Sequence, residues 1–235
     1  MKVKTLAFDV LGTLANTSQA GCVAGRVLGD LAADFMKLWK QKHVEYAFRA
    51  ALMDQYQPQA LRHQQAFDYC LRYFHLSLSS GEQRQLLAAG KELSAFPEVK
   101  GALKKLKAAG FQIFAFSNSA APSIAHFLAQ NHLAAYFDGI VSLDEVQLTK
   151  PQPAAYQYLL QQSGAELEEV ALISSNPFDL IGAQSSGLSA YWVRRDAGEI
   201  FDPWGLEPDV VVEDFERLYT FLCSRSEYFD ENEAG

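Results

Sequence analysis

The feature that most constrains this chain is a recurring pattern. Short apolar runs stop on small polar residues, and each is followed by a helical pattern. Residues 3–8 run apolar to Asp9, and Gly12 then breaks the pattern. Residues 111–116 end in Ser117-Asn118, and residues 170–173 end in Ser174-Ser175-Asn176. Further strands read at 139–142, 190–193 and 210–212. Helical periodicity fills the gaps, around Leu103 and Leu106, around Ile124, Phe127 and Leu128, over 154–162, and over 180–186. Repeated strand–helix units of this kind imply a parallel sheet covered on both faces.

One stretch departs from that alternation. Between about Gly25 and Phe74 no strand pattern appears. Leu28, Leu31, Phe35, Leu38 and Trp39 recur at helical spacing, as do Ala66, Phe67, Cys70, Leu71 and Phe74. A third helix is expected over 83–93, after the cap residues Ser79-Ser80. The expected architecture is therefore an α/β core with a helical cap inserted after the first strand. Residues 1–14 and 96–223 form the core, 15–95 the cap, and 224–235 an acidic tail. The 235 residues suit that plan, one large domain with an insertion.

Charge and composition exclude some partners. With 28 acidic against 20 basic side chains the net charge is −8. Nucleic acid and anionic membranes usually need a basic patch, so neither is expected. No apolar stretch approaches the roughly 18 residues of a membrane span. The first apolar run meets Asp9 too early for a secretory leader. Cys22, Cys70 and Cys223 are odd in number and widely spaced, as expected of free thiols in a reducing cytoplasm. The five histidines show no ligand spacing, and neither a metal nor another cofactor is expected.

Ligands of such sheets bind beyond the carboxyl ends of the strands. Those ends carry Asp9, Ser117-Asn118 and Ser174-Ser175-Asn176. Each Ser or Asn taken singly also suits a helix N-cap, and Asp9 alone could cap a turn. Asp9 at a strand tip, with a glycine turn and the Thr13 hydroxyl behind it, can equally be a nucleophile whose oxygens the turn orients. Lys150 before Pro151 could be a loop lysine, Phe178 a core residue, and Tyr156 a packing partner of Leu159 and Leu160.

At this point the sequence resembles a known superfamily. Phe8-Asp9-x-x-Gly12-Thr13-Leu14, Phe116-Ser117-Asn118, Lys150-Pro151 and Ser174-Ser175-Asn176-Pro177-Phe178-Asp179 resemble, in order and spacing, the four motifs of the haloacid dehalogenase superfamily. The resemblance implies a Rossmann-like parallel-sheet core with a helical cap. Most members are magnesium-dependent phosphatases with a second Asp two residues after the nucleophile and an acidic fourth motif. Here those places hold Leu11 and Ser174-Ser175. Mg²⁺ wants a near-octahedral oxygen shell that includes carboxylates. The pattern is instead similar to the L-2-haloacid dehalogenase branch, which has a Ser-Ser-Asn-x-x-Asp motif and needs no metal. Tyr156, six residues after Lys150, and the segment Leu38-Trp39-Lys40-Gln41-Lys42-x-x-Glu45-Tyr46 also resemble that branch.

The resemblance implies a small-molecule 2-haloacid substrate, a two-step hydrolysis and a homodimer. Asp9 would attack C2 and expel halide, and water would then cleave the Asp9 ester. Thr13 would orient Asp9, and Lys150 would hold it ionised. Asp179, with Asn176 and Ser174, would activate water. Ser117 would take the substrate carboxylate. Asn118 and Phe178 would contact the halide, while Leu11, Lys40 and Tyr156 would complete the substrate pocket. Two departures stand out. Lys40 replaces an Arg, keeping the charge but losing the planar fork. Leu11 replaces a frequent Tyr. A magnesium-dependent phosphatase, a member with a changed substrate, and a non-catalytic binding protein on the same scaffold are the rival readings.

Overall fold

The computed structural model describes residues 3–90 and 92–230. Its central sheet has six strands, β1 (Thr5–Phe8), β4 (Gln112–Ser117), β5 (Gly139–Ser142), β6 (Val170–Ser174), β7 (Ser189–Val193) and β8 (Val210–Val212), in the spatial order β5-β4-β1-β6-β7-β8. Every pairing in it is parallel. A small antiparallel pair, β2 (Ala15–Asn16) and β3 (Ser94–Ala95), joins the two chain segments that lead to and from the inserted helices. β1 lies in the middle. The chain builds outward from it on one side through β4 and β5, then crosses to the other through β6, β7 and β8. The sheet thus reverses direction at the carboxyl end of β1, where Asp9 stands. A crevice forms at such a reversal because the helices on either side diverge.

The strands alternate between two apolar layers. Leu6, Phe8, Ile113, Ala115, Ala171 and Ile173 face a cluster with Leu103 and Leu106 of α5 (Val99–Ala108), Ile124, Phe127 and Leu128 of α6 (Ala121–Gln130), and Phe215, Leu218 and Leu222 of α9 (Phe215–Asp230). Ala7, Phe114, Phe116, Leu172, Ala190 and Trp192 face the opposite cluster. This one contains Ala155, Tyr156 and Leu159 of α7 (Pro153–Ser163) and Leu180 and Ala183 of α8 (Pro177–Ser185). Because the strand period is two, apolar residues at successive positions must be buried on both faces, as the sequence pattern requires.

The inserted segment comprises α1 (Ser18–Leu28), α2 (Ala32–Leu52), α3 (Gln59–Tyr73) and α4 (Ser80–Ala89). It has a core of its own, with Phe35, Trp39, Ala66, Phe67, Cys70 and Leu86 buried together. The Phe35 ring meets the rings of Trp39, Phe67 and Phe74. The periodicity of Leu28 to Trp39 is broken by one 3₁₀ turn at Gly29–Leu31, which separates α1 from α2. The third expected helix starts earlier, at Ser80. Ser79 accepts from the Glu82 amide, and the Glu82 carboxylate accepts from the Ser79 amide. This reciprocal box fixes the helix start. Leu93, expected inside that helix, instead packs with the sheet core. The segment expected as a tail from 224 continues α9 to Asp230, and residues 231–235 lie outside the described residues.

Leu172 sits in the central strand pair with no exposed surface. Leu172→Ala should lower stability by about 2–5 kcal/mol through lost burial and the cavity left behind. Urea unfolding should read this as a lower midpoint with the slope retained.

Candidate active site

Asp9 leaves β1 held by the sheet, its amide donating to the Ile173 carbonyl at 2.9 Å. Gly12 turns the chain at φ +83, a conformation that side chains disfavour. The turn brings Thr13 back so that its hydroxyl donates to Asp9 Oδ2 at 2.9 Å. Thr13 Oγ1 also accepts from the Ser175 amide at 2.8 Å, so its single proton remains for Asp9. Asn176 Nδ2 donates to the same Asp9 Oδ2 at 2.9 Å and reaches the Leu11 carbonyl at 3.4 Å. Both partners are pure acceptors, which fixes the orientation of the Asn176 amide. Asn176 occupies the N-cap position of α8, yet its side chain makes no cap bond. Taken alone, Asn176 favours the cap reading from sequence, and the structure instead sends the side chain to Asp9.

Lys150 ties the site together. Its Nζ donates to Asp9 Oδ1 at 3.2 Å, to Asp179 Oδ2 at 2.7 Å and to the Phe116 carbonyl at 2.9 Å. All three ammonium protons are thereby used, and the ring of Phe116 lies 4.2 Å away by its centroid. Burial opposes the Lys150 charge, but the Asp179 and Asp9 carboxylates outweigh it and raise the lysine above its usual range. The side chain is therefore an ammonium and cannot be a solvated loop lysine. Asn118 steadies its backbone, Oδ1 accepting from the Lys150 amide at 2.9 Å.

Asp179 is fully buried in the first turn of α8. Its Oδ1 accepts from the Tyr156 hydroxyl at 3.0 Å, which also lies 2.9 Å from the Asp179 carbonyl oxygen. Burial pushes the Asp179 carboxyl up to about 6; Lys150 opposes that rise, and the Asp9 charge adds to it. A carboxyl so tuned can accept a proton near neutrality. Tyr156, expected to touch substrate, is wholly buried and spends its hydroxyl on Asp179. Burial, then the Asp179 charge, raises its pKa well above the ordinary tyrosine range.

The remaining expected residues fall on three sides. Ser174 is buried at the end of β6, where its Oγ accepts from the Asn176 amide at 3.1 Å. Ser117 ends β4, its Oγ 3.2 Å from that of Ser119. Leu11 is 38% exposed beside the Asp9 turn. Phe178 meets Phe48 of α2 edge to face, with ring centres 5.4 Å apart, so it bridges core and inserted helices. Lys40 is exposed on α2 and joins none of the hydrogen bonds around Asp9 described above. Its charge instead reaches Glu199, in the loop after β7. Burial raises the Glu199 carboxyl, and Lys40 opposes that rise.

Sequence reading missed several supports. Arg195 lies against the Phe96 ring at 3.8 Å and donates to the Thr13 carbonyl at 2.7 Å, clamping the Asp9 turn from behind. It follows an apolar strand, as the other site residues do, and that position was its only signal. Phe48 and Ser119 carried none. Tyr56, after α2, donates to Asp144, after β5, which adds a second link between the inserted helices and the core.

Magnesium, which the phosphatase reading would require, does not fit these donors. Leu11 and Ser174 stand where carboxylates would be needed, and the space between Asp9 and Asp179 holds the Lys150 ammonium. Among the described residues no three His, Cys, Asp or Glu side chains gather to hold a metal ion.

A model of the haloacid dehalogenase-like hydrolases matches residues 3–187. The chain is 30% identical to haloacetate dehalogenase H-2 of Moraxella sp. (strain B), over 90% of its own length and 94% of the relative's. It is 32% identical to (S)-2-haloacid dehalogenase 4A of Burkholderia cepacia, over 82% and 84% respectively. A solved dehalogenase structure with an intermediate complex superposes with a TM-score of 0.89 at 29% identity, covering 94% of this chain and 97% of the other.

Removing the Lys150 cation should expose the charge balance. Lys150→Met leaves two carboxylates facing each other and should cost about 3–5 kcal/mol near pH 8. The lysine opposes the rise in Asp179's pKa, so without it the folded-state value climbs further above about 6, while the unfolded value stays near 3.8. A carboxyl raised on folding loses stability as pH rises through that window. The variant should therefore be closer to wild type in urea at pH 5 than at pH 8. Equal losses at both pH values would contradict the charge assignment.

Proposed function

The chain belongs to the haloacid dehalogenase-like hydrolases, and from that premise we propose that it hydrolyses short L-2-haloalkanoic acids to D-2-hydroxy acids without a metal. One observation carries the reading: a buried lysine joins a strand-tip aspartate to a second carboxylate with pKa near 6, in a donor set that has no place for magnesium. The dehalogenase names of the relatives support the same chemistry.

The geometry supports a two-step displacement. Asp9 Oδ2 accepts two hydrogen bonds and Oδ1 accepts one, which leaves Oδ1 the less encumbered oxygen. In the first step an Asp9 oxygen bonds to C2 of the substrate, the carbon–halogen bond breaks, and halide leaves with the electron pair. Attack from behind inverts the carbon. In the second step water adds to the carboxyl carbon of Asp9, and Asp179 takes the water proton. The bond from that carbon to the substrate oxygen then breaks. The departing alkoxide takes the proton that Asp179 holds, and Asp9 is restored with one oxygen from water while the remaining water proton passes to solvent. Splitting the reaction in this way replaces one hard displacement with two easier ones. Lys150 and Thr13 stabilise the Asp9 carboxylate as it is regenerated.

Ser117 and the amides after β4 take the substrate carboxylate in this reading, which the position of β4 beside β1 supports. The Oδ1 of Asn118 is committed to Lys150, so its amide nitrogen serves the halide, a large and weakly hydrated anion, together with the edge of Phe178. Leu11 walls the opening. Lys40 supplies positive charge to the approach from the α2 side. Free thiols at Cys22, Cys70 and Cys223 support a reducing cytoplasm, and no described helix is long and apolar enough to cross a membrane. Exposed Leu52 and Leu61 on the inserted helices, with Met53 just after α2, support a homodimer contact.

Free halide should appear from L-2-chloropropionate and L-2-bromopropionate in the presence of EDTA, and Asp9→Asn should abolish it. Halide release unchanged in Asp9→Asn, or dependent on added magnesium, would overturn the reading. Asp179→Asn should slow turnover by about 10²–10⁴-fold, the usual contribution of a positioned base. The rate should fall as pH drops below about 6, because protonated Asp179 cannot accept the water proton. A rate flat from pH 8 to pH 5 would remove Asp179 from that role.

A further inference from the structure

α7 and α8 come together at Gly182. A Cβ there would lie 2.3 Å from the Tyr156 hydroxyl oxygen, 2.6 Å from the Pro151 Cβ and 2.9 Å from Tyr156 Cε2. No side chain fits at such distances, since real Cβ atoms essentially never approach within 3.0 Å. Gly182 lies inside α8, three residues after Asp179, where glycine costs roughly 0.5–1 kcal/mol relative to alanine. Its use at this point matches a requirement for contact. The atom nearest the missing side chain is the hydroxyl oxygen that lies within hydrogen-bond distance of both Asp179 Oδ1 and the Asp179 carbonyl oxygen.

We propose that Gly182 is a positioning residue for the reaction: by lacking a Cβ it admits the Tyr156 hydroxyl to the Asp179 carboxylate and so aims that carboxylate at the water it deprotonates. The proposal rests on the hydrolase reading for the role of Asp179, but the contact itself does not. Asp179 has two oxygens with opposed supports, Oδ2 on the Lys150 ammonium at 2.7 Å and Oδ1 on the Tyr156 hydroxyl at 3.0 Å. Two bonds at opposite oxygens fix the plane of a carboxylate, whereas one leaves it free to rotate. The groups facing Asp179 are Lys150 and Tyr156, which favour its charge by hydrogen bonding, and Asp9, whose own charge opposes it. Tyr156 is thus the uncharged half of the clamp. Displacing its hydroxyl should both loosen Asp179 and raise its proton affinity.

The test compares Gly182→Ala, Tyr156→Phe and the double variant with wild type. Asp179 is titrated in the intact protein by carboxyl ¹³C NMR, with its signal assigned by its loss in Asp179→Asn. Tyr156→Phe and Gly182→Ala should each raise the Asp179 pKa by about half a unit to one unit, the scale of one lost neutral hydrogen bond. The double variant should shift it no further than either single change, because both remove the same bond. The acid limb of the halide-release profile should move up by the same amount. Melting temperatures distinguish this from a loss of structure, which would remove the burial that raises Asp179 and so lower its titration toward 3.8. If Gly182→Ala does not fold, Tyr156→Phe, which keeps the glycine and its room beside Pro151, carries the titration alone. An Asp179 titration unmoved in Tyr156→Phe would overturn the proposal. So would an Asp179 titration unmoved in Gly182→Ala, or shifts that add. The titration needs no substrate, so absence of halide release would sink the hydrolase reading and leave this contact standing.

Discussion

The site depends on one buried cation. Lys150 carries its charge into the core, where an unpaired ammonium would be prohibitively costly. It is retained because each of its three protons has an acceptor: two carboxylates and the Phe116 carbonyl. The two carboxylates in turn need the lysine, because together and unpaired they could not both remain ionised. The result is a charge group held at net −1, with Asp9 partly open at the strand tip and Asp179 sealed behind it. Nucleophile and base differ through their surroundings. Asp9 receives hydrogen bonds from Thr13 and Asn176, while Asp179 is fully enclosed and its proton affinity is raised by burial.

Around that group the fold works as a positioning frame. The reversal of strand order places Asp9 at the centre of the sheet, with Ser117 and Ser174 at the ends of its two neighbours. Rigid parallel strands therefore set the spacing of three site segments, and backbone hydrogen bonds hold each of them. A second ring of contacts then fixes the side chains: Arg195 on the Thr13 carbonyl, Asn118 on the Lys150 amide and Tyr156 on Asp179. The inserted helices have a separate apolar core and touch the sheet domain through Phe48 on Phe178 and Tyr56 on Asp144.

Much of this was legible in the sequence because burial and periodicity are local signals. Strands buried on both faces must be apolar at successive positions, and they must stop where polar residues reach solvent or a site. That is how Asp9, Ser117 and Ser174 could be placed at strand ends. The helical insertion was legible for the same reason. Element boundaries were less so. The Ser79–Glu82 box, not the apolar pattern, sets the start of α4, and Leu93 belongs to another core. Asn176 illustrates the limit at the site. Its residue type at a helix start favours the cap, and only the proximity of Asp9 draws its side chain to the site.

The sequence by itself determined the sheet-and-insertion plan, the strand-tip carboxylate and the lack of a carboxylate set for magnesium, because each follows from residue identity at a local position. Tertiary structure decided what joins what. Tyr156 turns its hydroxyl to Asp179 where α7 and α8 meet at a glycine 26 positions away. Lys40 stands at an exposed place on α2, because the inserted helices pack on their own core and present it toward the Glu199 loop. Proton affinity at Asp179 likewise arises from burial and from charges contributed by segments far apart in the chain. Such quantities depend on distance and dielectric, which a linear pattern does not contain.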